Sequence, residues 1–296
     1  MSTSKQETYE LQKPPFGVIG GLHLINYLLH LADDALMLGH RNSEWCGHGP
    51  VLELDIAISN IALDLLGQAR NFYQYAAEII NNLKDTNGNA FPMGGARLRD
   101  GQGLEGAVTE DTLAYLRDAH EFKNCLLVEQ PNGDWGVTIM RQFLFSTYQY
   151  YLYQRLQHSG DERIAAIANK ALKEVTYHVR WSSEWVIRLG IGTAESHARM
   201  LKAVGVLKDY THELFMPAGY ETEAALKGYG MNVTLLHTLW EEKVKGIFTQ
   251  ATLAETLPFY NAGVTLFGKE GQHTNHLETV LADMQYLQRM HHDAEW

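Results

Sequence analysis

Apolar residues recur at intervals of three and four almost throughout this chain of 296 residues, and strand-like alternation is nearly absent. The pattern predicts an all-α protein. A first helix is expected from about Gly21 to Arg41, followed by the connection SEWCGHGP, whose Pro50 suits the first turn of the next helix. In that second helix Leu52, Ile56, Leu63, Leu66, Tyr73 and Ile80 mark an apolar stripe. Residues 82–106 are dense in Gly and Asn and read as a surface excursion. Thr109 then begins a helix expected to run through Glu129, and Gln130-Pro131-Asn132-Gly133 stops it. Asp134 can cap a helix that continues toward Gly160, and the next helix is expected from Asp161 to Leu189. Gly190 and Gly192 end it, Thr193 caps another, and Asn232 starts one through Leu253. Asn275 followed by Glu278 resembles a capping box, after which Leu277, Leu281, Met284 and Leu287 form a stripe. Residues 1–16 are polar, contain Pro14-Pro15 and read as a tail, which leaves residues 17–296 as a single helical domain.

One helix breaks the pattern. The run WGVTIMRQFLFSTYQYYLYQRLQHSG, from Trp135 to Gly160, holds no Asp or Glu, and from Gln142 to Gln154 it has no charge at all. An apolar circumference implies burial on more than one side. The helix is either a central core element, or it turns one face inward and presents Tyr148, Tyr150, Tyr151 and Tyr153 to another subunit, where tyrosine is favoured.

The four longest helices fall into two pairs separated by the 109–129 segment, which is how a crossover-connected bundle is written. The expected architecture is therefore a ferritin-like four-helix bundle core with additional helices. A di-iron site in such a bundle needs a carboxylate from every helix, two of them in Glu-x-x-His motifs. Asp33 and Asp64 have the ~30-residue separation that one up-and-down helix pair requires. Asp64, however, is followed at the third position by Gly67, so that histidine is missing. Glu174 is followed by His178 at the fourth position, a displacement of ~100° around the helix. The place about thirty residues before Glu174 is occupied by Ser146, inside the acid-free helix. Asp33, Asp64, Ser146, Glu174 and His178 thus read as vestigial di-iron positions, with no metal expected to be held. Their acids and histidine are expected in buried hydrogen bonds or ion pairs with Arg70, Arg141 or Arg180, because acids seldom stay buried unpaired. A competing reading recruits Asp33, Asp64, Glu129, Glu174 and His178 as ligands of a catalytic di-iron centre. A ferritin-like storage or stress protein is disfavoured by the absent Glu-x-x-His motifs.

Composition narrows the classes further. A formal net charge of −11 and a sequence pI near 5.7 argue against nucleic acid or an anionic membrane surface as partner. No apolar run reaches the ~20 residues that span a bilayer. Cys46 and Cys125 are too few for a disulfide framework, which points to a reducing cytoplasm. Trp45-Cys46-Gly47-His48 and the pair His273 and His276 each offer too few ligands to close a metal site. Gly-x-Ser-x-Gly, Walker A and Gly-x-Gly-x-x-Gly motifs are absent, so serine hydrolysis, P-loop and Rossmann chemistry lack support.

Four collinear blocks carry a resemblance: Ser43–Phe72, Leu126–Trp135, Lys173–Trp185 and Gly268–Met290. They are similar to the C-type structural subunits of bacterial phenylacetyl-CoA epoxidases, multicomponent monooxygenases that oxidise an aromatic ring in aerobic phenylacetate degradation. The resemblance covers the chain from about Gly21 onward, although residues 82–106 look longer than is usual there. It implies a ferritin-like subunit without metal or catalytic residues, pairing as scaffold with a homologous catalytic di-iron subunit that also holds the CoA thioester. It further implies small accessory subunits and a reductase that passes electrons from NADPH through FAD and an iron–sulfur cluster. Cofactors would then reside in the partner subunits and none in this chain. A weaker expectation is that Arg97 and Arg99 on the long loop meet phosphates of CoA.

Overall fold

The computed structural model describes residues 18–83, 107–257, 259 and 264–291. The expected tail, most of the excursion, and Arg97 and Arg99 lie outside them. Every regular element among the described residues is helical, in the order α1 (Val18–Ser43), α2 (Leu52–Asn82), α3 (Glu110–Tyr115), α4 (Leu126–Glu129), α5 (Trp135–Leu156), α6 (Glu162–Gly190), α7 (Ala194–Leu207), α8 (Gly219–Lys227), α9 (His237–Gln250) and α10 (Asn275–Met290), with short 3₁₀ turns between. This is an all-α, ferritin-like bundle. Helices α1 and α2 form one pair, α5 and α6 the other, and α2 against α6 joins them.

Contacts fix the directions. Gly39 of α1 packs on Ala62, Leu65 and Leu66, Asp33 meets Tyr73, and Gly21 meets Leu83, so α1 and α2 are antiparallel. Asp64 meets His178, Gln68 meets Glu174 and Glu78 meets Arg163, so α2 and α6 are antiparallel too. Helix α5 is the centre of the molecule. Every residue from Gly136 to Gln149 is buried, α6 and α7 pack along it, and α9 covers Phe143 with Phe248, ring centroids 6.3 Å apart. Each large apolar side chain so enclosed contributes roughly 1.5–3 kcal/mol.

The expected caps at Asp134 and Thr193 are present, accepting from the Val137 and Ser196 amides. At the last helix Thr274, one residue earlier than expected, accepts from the His276 amide. Gly190 is the last residue of α6, and a side chain there would collide with the Ala251 carbonyl at the end of α9.

Three expectations are corrected. Residues 109–129 do not form one helix. They make α3, a 3₁₀ turn at Ala119–Glu121, and α4, because carboxylates distant in sequence take the amides a continuous helix would use. The Lys123 amide donates to Asp33 (2.8 Å), Cys125 to Asp34 (2.7 Å) and Leu126 to Glu213 (2.6 Å). The stripe assigned to α2 also mixes two faces. Tyr73 and Ile80 are buried, Leu66 is half-buried, and Leu52, Ile56 and Leu63 point outward, while Leu54, Ile58, Ile61, Leu65 and Phe72 fill the core. The helix from Asn232 likewise begins as a 3₁₀ turn, Val233–Leu236, before α9.

Candidate functional site

The five positions read from the sequence as vestigial come together in two separate places. Asp33, fully buried in mid-α1, is taken up by α2 and by the segment that follows α3. Both of its oxygens bond to the Arg117 guanidinium, at 3.0 Å on Oδ2, and Tyr73 donates a further hydrogen bond to Oδ1. Arg117 stands over the Phe122 ring at 4.1 Å and donates to the Glu121 carbonyl. Burial by itself would lower the Arg117 pKa, but the charge and hydrogen bond of Asp33 and the neighbouring Tyr73 raise it, so the cation persists. Burial, then Asp33, raises the Tyr73 pKa and keeps the phenol protonated as a donor. No lone pair of Asp33 is left facing open space: four donors converge on two oxygens.

The other residues lie between α2, α5 and α6. Nε2 of the fully buried His178 sits 3.0 Å from Oδ2 of Asp64, whose side chain is 37% exposed. Glu174 accepts from Gln68 Nε2 at 2.9 Å, and Gln68 Oε1 accepts from Gln149 at 3.1 Å and from Tyr153 at 3.4 Å. Burial raises the Tyr153 pKa, which keeps this hydroxyl a donor. Ser146 reaches only Ser182, at 3.4 Å, and the Phe143 carbonyl. The central helix therefore supplies an amide and a hydroxyl where a four-carboxylate centre needs an acid.

The donor set does not fit a di-iron group. Asp33 is consumed by Arg117 and Tyr73, α5 gives no carboxylate, and among the described residues no group of three or more His, Cys, Asp or Glu side chains is placed to hold a metal ion. Glu129, needed by the competing ligand set, is buried but spent elsewhere. It accepts from Asn124 (2.9 Å), His273 (2.8 Å), and the Thr274 amide and hydroxyl (2.7 Å each), anchoring the start of α10. His273 also contacts the Phe122 carbonyl at 2.9 Å. Burial works against its charged form, but Glu129 and that carbonyl prevail and raise its pKa.

Each of the three acids has a partner, but only Asp33 is buried, Asp64 and Glu174 being partly exposed, and none is paired by the expected arginines. Arg70 is exposed and bonds Glu110 (3.2 Å), and Arg180 lies over the Tyr177 ring. Arg141, fully buried in α5, donates to the Gln130 carbonyl and Asn132 Oδ1, with burial and nearby Arg41 lowering its pKa to about 9. Sequence reading missed Arg117, Tyr73, Gln68 and Gln149, and also a second buried network. There Lys269, with no exposure, donates to Glu221 (3.0 Å) and to the Leu214 and Met216 carbonyls, while its amide bonds Glu213.

Tyr148 and Tyr153, two of the four expected interface tyrosines, are each only 1% exposed, enclosed within this chain. Tyr150 and Tyr151 are half-buried and stack edge-on at 5.3 Å.

An all-α ferritin-like bundle whose Asp33, Asp64, Glu174 and His178 side chains are tied into protein hydrogen bonds is what these observations define. Residues 21–296 match the family described as "Phenylacetic acid catabolic protein", and the chain belongs to that family. It is 41% identical over 274 residues to the C subunit of the 1,2-phenylacetyl-CoA epoxidase of Escherichia coli (strain K12), covering 92% of this chain and 99% of that one. No helix among the described residues is long and apolar enough to cross a membrane.

Proposed function

We propose that this chain is a structural, non-catalytic subunit of an epoxidase acting on the aromatic ring of phenylacetyl-CoA, paired with a homologous catalytic di-iron subunit in the cytoplasm. The observation that carries this reading is the closure of Asp33 by Arg117 and Tyr73 together with the amide, Gln149, in place of an acid on α5. A buried carboxylate with four donors is a poor ligand, because freeing it would strand the Arg117 cation in the core. The similarity to an epoxidase subunit supplies the substrate class and the expectation of partners. FAD, an iron–sulfur cluster, NADPH and di-iron then belong to the reductase and catalytic subunits. The half-buried pair Tyr150 and Tyr151 is one contact region for a partner, and charge placed there should weaken association more than folding.

Reconstitution tests the proposal. This chain alone, with reductase and NADPH, should give no epoxide, whereas adding the di-iron subunit should give turnover. Glu174→Ala and Asp64→Ala complexes should keep turnover within about threefold of wild type, while a loss of about 100-fold in either, with assembly intact, would assign catalysis to this chain.

A further inference from the structure

Three tryptophans from three parts of the chain stand ring against ring. Trp45, in the turn between α1 and α2, meets Trp135 at the start of α5 with ring centroids 5.0 Å apart, and Trp135 meets Trp181 of α6 at 6.4 Å, both edge-on. Trp45 is half-buried and Trp181 only 8% exposed, so the row leads from the surface turn to the packed side of α6. Edge-on packing is common among aromatic rings, but a buried indole N–H normally finds an acceptor. Trp135 Nε1 is buried and has none. An oxidised Trp135 therefore has nowhere to send its proton, and it recovers an electron from a neighbouring ring instead. Trp45 differs: its Nε1 donates to the Thr138 hydroxyl at 2.9 Å, and its ring reaches solvent, where a dissolved reductant can meet it.

Cations mark the limits of the row. Tyr177 and Trp185 stand one turn to either side of Trp181 on α6, at the spacing that makes side chains neighbours, and would extend the row along that helix. Arg180, however, lies over the Tyr177 ring at 5.8 Å and Arg188 over the Trp185 ring at 5.2 Å. A guanidinium at that distance opposes a second positive charge on the ring. Among the described residues no cation stands over Trp45, Trp135 or Trp181. Positive charge placed on these three rings is therefore kept among them.

We infer that Trp181, Trp135 and Trp45 form a relay that carries one-electron oxidation from α6 out to the turn between α1 and α2. A radical or a high-potential metal complex takes an electron from Trp181 and is reduced. Trp181 recovers that electron from Trp135, and Trp135 from Trp45. The oxidised Trp45 releases its Nε1 proton to water and is restored by a hydrogen atom from a dissolved thiol, which becomes a thiyl radical. In sum the oxidant gains one electron, the thiol loses one electron and one proton, and the protein is unchanged. The inference rests on the proposed function only for the origin of such oxidants, the dioxygen chemistry of a partner subunit.

Photo-oxidation of the purified chain tests the relay, run in the opposite direction. Cys46 is exposed and Cys125 buried, so a thiol-reactive ruthenium polypyridine complex can be attached next to Trp45 alone. Illumination with an irreversible electron acceptor under air converts the complex to a strong one-electron oxidant in place. Peptide mass spectrometry of the wild type should then find oxidation products at Trp181 as well as at Trp45. In Trp135→Phe, shown folded by circular dichroism, oxidation at Trp181 should be lost while that at Trp45 remains. Persistence of Trp181 oxidation in Trp135→Phe, or its absence from the wild type, overturns the relay. Either failure leaves the subunit reading standing, because no partner is present in the experiment. If Trp135→Phe does not fold, Trp45→Phe, at the half-buried end of the row, replaces it. Loss of Trp181 oxidation in that variant supports the relay, and its persistence contradicts it.

Discussion

Asp33 and Asp64 occupy equivalent places in the expected metal pattern, yet their surroundings differ in kind. Asp33 is completely buried and neutralised by Arg117, with Tyr73 and the Lys123 amide filling its remaining lone pairs. Asp64 lies at the rim, more than a third exposed, with His178 as its single partner. One site is closed by a cation brought in from outside the four-helix core. The other is merely lightly tied. Two acids at matching places in the helix pattern are thus satisfied in two ways: Asp33 by a buried fixed charge, Asp64 by one histidine and access to water.

The largest effect should fall on the closed site. Arg117→Met leaves Asp33 charged and buried and should cost roughly 3–5 kcal/mol in denaturant unfolding, with Asp33→Asn in the same chain restoring part of the loss. A cost below about 1 kcal/mol would show that the pair does not hold this region. Asp64→Asn should cost less than about 1 kcal/mol, because a contact open to solvent on the Asp64 side is weakened by water.

The Lys269 network adds a pH dependence. Burial pushes the Glu213 pKa from 4.5 up to about 7, partly offset by the Leu126 amide and by Lys269. A folded pKa above the unfolded one means that this stability is fully present below pH 4.5 and is lost as pH rises through about 7. His273, also raised, acts with the same sign through its own folded pKa above 6.5. Glu213→Gln should therefore flatten the thermal-stability profile between pH 4.5 and 7, and an unchanged slope there would remove Glu213 from the account.

The smallest effect on folding is expected at Tyr150 and Tyr151. Tyr150→Lys and Tyr151→Lys should shift the unfolding midpoint little and weaken partner binding, and normal binding by folded variants would exclude this pair from the interface.

Much of the fold was legible because its signals are local. Asp134 and Thr193 cap the helices they were expected to cap, and the uncharged run of α5 does reflect burial on more than one side. The 109–129 segment was misread because its competitors, Asp33, Asp34 and Glu213, lie far away in sequence and capture its amides only in the folded chain. On α2 the outward Leu52, Ile56 and Leu63 form as regular a stripe as the core face, and periodicity alone cannot say which of two stripes turns inward. At the site, the missing acid on α5 and the misplaced His178 were readable from spacing. The pairing of Asp33 with Arg117, 84 residues apart, was not, since nothing local links them.

Iron analysis of the purified chain after expression in iron-replete medium tests the central claim most directly. Close to zero iron atoms per folded polypeptide are expected, because Asp33 is held by Arg117 and α5 offers no carboxylate. About two iron atoms per chain, the complement of a complete four-carboxylate centre, would contradict it.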